Sequence, residues 1–257
     1  MRIENHNYKL DISFIMPSYL KQYGGSRSEP VLKFKRAVQS VIDQNDPYTE
    51  LIIVSDGCEI TQKIYDQNFK HVKNVKFIFI DKNENQNLNQ ELGKKYFRGV
   101  PRQVGRSLAE GYVTAYIDSD DFITKDASSQ IKIACNKFLK EDKKFMQFRN
   151  VYLNEKILTE EIELNHSYKK SYQKFEKPIK IEGLNSKWCK SIMNHEIQVM
   201  STWTIIHKSD CIGKWKDTTD IHEDMDFINQ LKKEQTGNQL YIPLGYYVIC
   251  HSDRWDF

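Results

Sequence analysis

Three carboxylates at the end of an apolar stretch are the residues of this sequence best suited to chemistry. Residues 113–117 mostly favour a buried β-strand, and Asp118, Asp120 and Asp121 follow almost directly. Ionised carboxylates stay buried only when they are paired or bind a metal, so the strand must end where they reach solvent or a cation. Asp118 and Asp120 would share a face of an extended chain, and a turn could also bring them together. Such oxygen ligands suit Mg²⁺ or Mn²⁺ bound with a substrate's phosphates, whereas a strand end before an Asp-capped helix is the simpler alternative.

The N-terminal half of the sequence alternates between strand and helix patterns. Periodic apolar residues predict an amphipathic helix that begins at Pro30. The same reasoning predicts strands at 11–16, 51–54 and 75–80 and helices at 60–69 and 101–110. This alternation is typical of an α/β fold, in which a mostly parallel central sheet carries helices on both faces.

A Pro-Ser turn or a carboxylate follows several of these strands directly. Pro17, Ser18 and Tyr19 follow the first strand, and Asp56 follows the second. In open parallel sheets ligands bind at the carboxyl ends of the strands. We therefore expect these residues to converge with the segment 118–120, although they are far apart in the sequence.

The C-terminal half contains two further groups of interest beside its predicted elements. Those elements are a helix at 127–139, strands at 145–152 and 202–206, a helix from residue 222, and extended pieces at 241–244 and 246–250. Glu223 and Asp224 open the later helix, where acidic residues are ordinary partners of the helix dipole. Arg102, near the start of the helix at 101–110, gains nothing from the dipole, so it is either an exposed residue or a phosphate clamp.

A lysine-rich segment precedes that last helix. Between Lys169 and Lys190 there are seven lysines and only two acidic residues, with aromatic residues between them. A solvated surface explains such a charge run, and an anionic acceptor is the functional alternative.

Composition excludes several classes of protein. The chain has 257 residues and a formal net charge of +3, which argues against a general polyanion-binding protein. Its five cysteines are scattered without a CxxC pair, so neither a disulfide framework nor a zinc site is indicated. The N-terminus lacks the apolar core of a signal peptide, and no apolar run approaches a membrane span. We expect a cytoplasmic protein in a reducing compartment.

Taken together, these segments resemble the family 2 glycosyltransferases, which have the GT-A fold. The matching segments, in order, are Ile15–Tyr19, Val54–Cys58, Gly99–Gly105, Tyr116–Asp121 with its D-x-D motif, Glu223–Asp224 and Val248–His251. The resemblance spans about residues 10 to 254 and is weak from 154 to 200. Leu20, Ser55 and Gln103 depart from the family pattern, and these departures bear on base selectivity.

The resemblance implies one GT-A (Rossmann-like) domain over residues 1–257. Its first half, 1–125, would bind the nucleotide sugar, and its second half, 126–257, would bind the acceptor and supply the base. Donor-binding residues would be Pro17, Ser18, Tyr19, Asp56, Arg102, Asp118, Ser119, Asp120 and Arg254. The metal, Mn²⁺ or Mg²⁺, would be held by Asp118, Asp120 and His251. Asp224 would be the catalytic base beside Glu223, and Trp203, Lys169, Lys170 and Lys174 would lie on the acceptor side.

The implied activity is metal-dependent transfer of a sugar, with inversion, from a nucleotide-diphosphate sugar to an acceptor hydroxyl. A UDP-sugar is favoured and a GDP-sugar is the other option. The acceptor stays open among a glycan, a lipid-linked sugar, a protein and a modified nucleic acid. The alternatives are a non-catalytic nucleotide-sugar-binding protein and a retaining transferase or nucleotidyltransferase on a similar sheet. The acidic pair at 223–224 argues against a pure binder, and Gly24–Gly25 lies too far from Met16 for a phosphate loop.

Overall fold

The fold is described here from a computed structural model. The residues that the structure describes are 1–21, 29–81, 98–123, 126–139, 143–148, 151–152, 172–174, 192–194, 205–216, 223–235, 240–242 and 249–251. Within these ranges the chain forms helices and strands in alternation at first and shorter strands later.

Five helices lie within the described residues: α1 (Pro30–Ile42), α2 (Glu59–Asn68), α3 (Gly99–Ser107), α4 (Ala127–Phe138) and α5 (Glu223–Glu234). The strands there are β1 (Leu10–Ser18), β2 (Thr49–Asp56), β3 (Val75–Ile80), β4 (Gly111–Tyr116), β5 (Phe122–Ile123), β6 (Phe145–Phe148), β7 (Val151–Tyr152), β8 (Tyr172–Lys174), β9 (Ile192–Asn194), β10 (Ile205–Lys208), β11 (Leu240–Ile242) and β12 (Ile249–His251).

The central sheet has seven strands in the order β11-β6-β10-β4-β1-β2-β3. Strands β1, β2, β3 and β4 are mutually parallel, and β11 is parallel to β6. Strand β10 alone among these seven runs in the opposite direction, since it is antiparallel to both β4 and β6. The mostly parallel α/β sheet predicted from the sequence is therefore confirmed.

Apolar side chains cover both faces of this sheet. Along β1, Phe14 and Met16 enter one core cluster and Ile15 enters the other, as the twofold alternation of a strand requires. Along β2, Leu51 and Ile53 alternate with their neighbours in the same way. A sheet buried on both faces explains why these strands are continuous apolar runs.

Helix α3 lies very close to the sheet. A Cβ atom added at Gly105 would stand 2.5 Å from Cγ2 of Ile15 and 3.1 Å from Cγ2 of Val54. Only a glycine lets the helix backbone approach β1 and β2 at this distance. This approach matters for the site because α3 carries Arg102.

Some predicted elements differ from the observed ones. The strand predicted at 145–152 is two strands, β6 in the central sheet and β7 in a three-stranded sheet with β5 and β12. The strand predicted at 202–206 begins at Ile205 within the described residues and continues to Lys208, while 202–204 lie outside them. Among the helices of the described residues, none has both the length and the apolar character that a membrane span requires.

Candidate active site

The carboxyl ends of β1, β2 and β4 lie side by side at one edge of the sheet. Ile15 is in register with Tyr116, Ser18 is in register with Ser55, and the amide of Ile117 donates to the carbonyl of Ile15 at 3.0 Å. The structure thus brings together the strand-end segments that the sequence predicts to converge.

A tight turn follows β4 and gathers the three carboxylates. The amide of Asp121 donates to the carbonyl of Asp118 at 3.1 Å, which closes the turn. One carboxylate oxygen each from Asp118, Asp120 and Asp121 lie within 4.8 Å of one another. We call residues 118–121 the acidic turn. Because β5 follows the turn and α4 begins only at Ala127, with Asp126 at its N-cap position, none of these three carboxylates starts that helix.

Two arginines approach the acidic turn, one from α1 and one from the residue directly before α3. Arg36 of α1 donates through Nη2 to the backbone carbonyl of Asp120 at 2.9 Å and lies over the Phe122 ring at 4.6 Å. Arg98, which directly precedes α3, donates through Nη1 to Oδ2 of Asp118. The sequence analysis missed both arginines, because Arg98 precedes the helix predicted at 101–110 and no local pattern pairs Arg36 with the acidic turn.

Arg102 is a buried hub between the acidic turn and α5. Its Nη2 lies 3.3 Å from Oδ1 of Asp118, and its Nη1 lies 2.5 Å from Oε1 of Glu223 and 3.3 Å from Oδ1 of Asp224. Its side chain is 2% exposed, so the expectation of a plain surface residue is wrong. The carboxylates, and not the helix dipole, explain an arginine at this position.

The two acidic residues at the start of α5, Glu223 and Asp224, make different contacts. Glu223 accepts from Arg102 and from the backbone amide of Arg98, the latter at 3.1 Å, and its side chain is 13% exposed. Asp224 has the longer contact to Arg102 and is 28% exposed. Asp226 accepts instead from Gln230, one turn along the same helix, at 2.9 Å. The pair is therefore more than a dipole partner, and Asp224 is its more accessible member.

Burial and charge oppose each other at this hub. Burial raises the pKa of Glu223, while the Arg102 guanidinium acts to lower it. Burial alone would lower the pKa of Arg102, but Glu223, Asp224 and Asp118 outweigh it and the pKa of Arg102 is raised. The guanidinium therefore keeps its charge although it is buried.

Aromatic side chains of the core cluster that contains Ile15 pack around Arg102. The guanidinium carbon of Arg102 lies 4.9 Å from the centre of the Trp215 ring, which stacks on Phe227 of α5 at 4.0 Å. Trp215 Nε1 donates to the hydroxyl of Tyr116 at 2.8 Å, and that hydroxyl lies 2.8 Å from Nε2 of His207. These contacts join the end of β4, β10 and α5 beneath the site.

The donor-side residues predicted on β1 and β2 are mostly buried. Pro17 and Ser18 are buried, and the hydroxyl of Ser18 lies 3.1 Å from that of Thr61. Tyr19 is half-buried against the core cluster that contains Phe14 and Met16, and Asp56 is 0% exposed at the end of β2. Their contact with a nucleotide base stays a prediction.

The remaining predicted residues are placed only in part. Backbone pairing in β12 sets Cys250 against Phe122, directly after the acidic turn, and brings the backbone of His251 to this edge. Ser119 is half-buried within the turn. Lys174 lies in β8, of which the structure describes the backbone alone. Four predicted residues lie outside the described residues: Trp203, Lys169, Lys170 and Arg254. Gly24–Gly25 also lies outside them.

The donor atoms of the acidic turn fit a hard divalent cation. An ion bound at about 2.0–2.6 Å from each oxygen keeps its ligand atoms within about 5 Å of one another, as these oxygens are. The charged groups concerned are Asp118, Asp120, Asp121, Glu223, Asp224, Arg36, Arg98 and Arg102. Five carboxylates against three guanidinium groups leave a formal net charge of −2, which one Mg²⁺ or Mn²⁺ balances.

The fold is similar to that of S. aureus TarS. The structure of TarS 1–349 matches with a TM-score of 0.62 at 16% sequence identity, over 95% of this chain and 60% of that chain. TarS 1–349 in complex with UDP-GlcNAc matches with a TM-score of 0.62 at 14% identity, over 96% and 60%. The complex of TarS 1–349 with UDP gives 0.60 at 16% identity, over 95% and 61%. This chain thus spans about 60% of the length of that TarS segment.

At these identities the likeness establishes the fold. The predicted fold class, an α/β fold of the GT-A type with a mostly parallel central sheet, is therefore confirmed. No family model matches the sequence, and no curated protein matches it.

Proposed function

We propose that this chain is a metal-dependent glycosyltransferase of the family 2 type, which moves a sugar from a nucleotide-diphosphate sugar to an acceptor hydroxyl with inversion. The observation that carries the proposal is the meeting of the acidic turn with Asp224 across the Arg102 hub. One element suits a diphosphate with its cation, and the other supplies an accessible carboxylate beside it.

The donor side is supported by two independent features. The acidic turn has the oxygen ligands that Mn²⁺ and Mg²⁺ prefer, and it lies at the carboxyl edge of a parallel sheet. The fold is shared with TarS, which has been solved with UDP-GlcNAc and with UDP. A UDP-sugar is therefore the donor that we favour over a GDP-sugar.

In the proposed reaction Asp118 and Asp120 would hold the cation, with His251 as a further ligand, and Asp56 and Tyr19 would contact the base. When bound, the cation neutralises the charge that builds on the departing diphosphate. The bond between the anomeric carbon and the diphosphate oxygen breaks, and its electron pair leaves with the nucleotide.

Asp224 completes the reaction from the acceptor side. Its carboxylate takes the proton of the acceptor hydroxyl, whose oxygen forms the new bond to the anomeric carbon on the face opposite the leaving group. Glu223 is held by two donors and keeps Asp224 in place, whereas Asp226 is bonded to Gln230 and stays outside the reaction.

The test is a panel of donors with water as the acceptor. The protein is incubated with Mn²⁺ and with UDP- and GDP-sugars, and release of the nucleoside diphosphate is measured. We expect slow release from one nucleotide class, which EDTA abolishes. Binding of a nucleotide sugar without release, including after addition of candidate acceptors, would instead indicate a non-catalytic binder.

A further inference from the structure

One side chain touches both halves of the candidate site. Arg102 contacts Asp118 in the acidic turn through Nη2, and it contacts Glu223 and Asp224 at the start of α5 through Nη1. The preceding turn reinforces the same connection, since Arg98 contacts Asp118 through its side chain and Glu223 through its backbone amide.

The position of Arg102 is fixed from several sides. Its side chain is 2% exposed, Trp215 lies against it, and Gly105 on the same helix holds α3 against the sheet. A planar guanidinium presents several donors in fixed directions, and a lysine ammonium does not. Reaching a diphosphate outside this pocket would require Arg102 to give up its carboxylates.

We propose that Arg102 is a positioning residue that couples occupancy of the acidic turn to the placement of Asp224. This inference rests on the proposed function, and it replaces the role of a phosphate clamp that the sequence suggested for Arg102. The substrate contacts would then belong to the acidic turn and Asp224, while Arg102 sets the position of one relative to the other.

The physical basis of the coupling is competition for charge. A divalent cation at the acidic turn shares the charge of Asp118, so Arg102 interacts more strongly with Glu223 and Asp224. By thermodynamic linkage, whatever strengthens the contacts of Arg102 with α5 must also favour cation binding at the acidic turn. Donor binding and the placement of the base are thereby connected through one guanidinium.

The two roles of Arg102 predict opposite kinetics for Arg102→Met. A lost phosphate clamp raises the Kd for UDP and the KM for the donor. A lost positioning residue changes both only by the coupling factor, which we expect to be about threefold or less, and lowers kcat by about 10²-fold or more, because the misplaced base acts in the chemical step. Arg102→Lys keeps the charge without the planar fork, and we expect it to follow the methionine variant in kcat.

A second measurement does not depend on activity. Hydrogen exchange of the first turns of α5 is recorded with Mn²⁺ alone and with Mn²⁺ plus UDP, in the wild-type protein and in both variants. We expect ligand-dependent protection at residues 223–228 in the wild-type protein and its loss in the variants, although calorimetry still detects binding. Lys144→Met is the control. It removes one positive charge, as Arg102→Met does, from a side chain that is paired with Asp210 at 2.9 Å, and it should behave like wild type.

Three outcomes would overturn the inference. The first is that Arg102→Lys binds UDP at least about tenfold more weakly than wild type. The second is an unchanged kcat in both variants. The third is hydrogen exchange in α5 that responds to ligand equally with and without Arg102. Failure of the wild-type protein to release nucleotide from any donor would contradict the proposed function. The exchange measurement would still decide the role of Arg102 in that case.

Discussion

Arg102 and Glu223 form an ion pair of 2.5 Å between Nη1 and Oε1, although they lie 121 positions apart in the sequence. The pair joins α3, which is held on the sheet, to α5, which carries Asp224. Removing either partner of such a buried pair leaves an uncompensated charge, which typically costs about 3–5 kcal/mol. The geometry of the candidate site therefore depends on this contact.

The metal site predicts the behaviour of Asp120→Ala. This substitution removes one carboxylate from the acidic turn but keeps the backbone carbonyl that accepts from Arg36. We expect the fold to persist and the Mn²⁺-dependent affinity for UDP to fall by more than about 10–100-fold. Loss of a residue that only supports a metal ligand already costs that much, and Asp120 is proposed as a direct ligand. Calorimetry with Mn²⁺ measures this.

Asp126→Ala is the matched control for the metal site. Asp126 is an exposed carboxylate directly before α4 and outside the acidic turn, and its removal should leave UDP binding unchanged. Undiminished Mn²⁺-dependent binding by Asp120→Ala would refute the assignment of this ligand.

The close approach of α3 predicts that Gly105→Ala is destabilising. Alanine favours a helix over glycine by about 1 kcal/mol, but overpacking of a core costs about 1–3 kcal/mol. The new Cβ would meet Ile15 at 2.5 Å, so we expect a net loss of stability in urea unfolding and a displaced Arg102. Ser107→Ala, at an exposed position of the same helix, should stay near wild type. A Gly105→Ala protein that is about 1 kcal/mol more stable than wild type would contradict this packing.

Because His207 is buried, we expect the free energy of unfolding to decrease in mild acid. Burial lowers the pKa of His207 to about 3, with Arg106 acting in the same direction and Asp210 and the Lys208 carbonyl opposing them. The unfolded chain, with an ordinary histidine pKa, binds a proton below about pH 6.5 that the folded chain does not bind. Stability due to this group is therefore complete above pH 6.5 and is lost as the pH falls towards 3.

Comparison with His207→Gln isolates this contribution, because the other titrating groups are common to both proteins. Between pH 6.5 and pH 5 the wild-type protein should lose about 1.7 kcal/mol more of its free energy of unfolding than the variant. Urea titrations at the two pH values measure the difference. Equal losses in the two proteins would show that His207 takes up a proton within the fold.

The sequence predicts the strand ends well and the ion pairs poorly. The edge that joins Ser18, Asp56 and Asp118 follows from local apolar runs and from the rule for parallel sheets. The partners of Arg102 depend on a helix that packs across the sheet and on α5, and no local pattern specifies either. The burial of His207 likewise arises from long-range pairing of β10 with β4.

The catalytic base is tested most directly by Asp224→Asn beside Asp226→Asn, with nucleoside diphosphate release from the donor and Mn²⁺ as the measurement. Asparagine keeps the shape and the helix-start preference of aspartate and removes its negative charge, and with it the proton acceptor. The account predicts that Asp224→Asn binds UDP within a few-fold of wild type and that its turnover falls by about 10²–10⁴-fold, while Asp226→Asn stays near wild type. Near wild-type turnover by Asp224→Asn, or an equal collapse in both variants, would contradict the account.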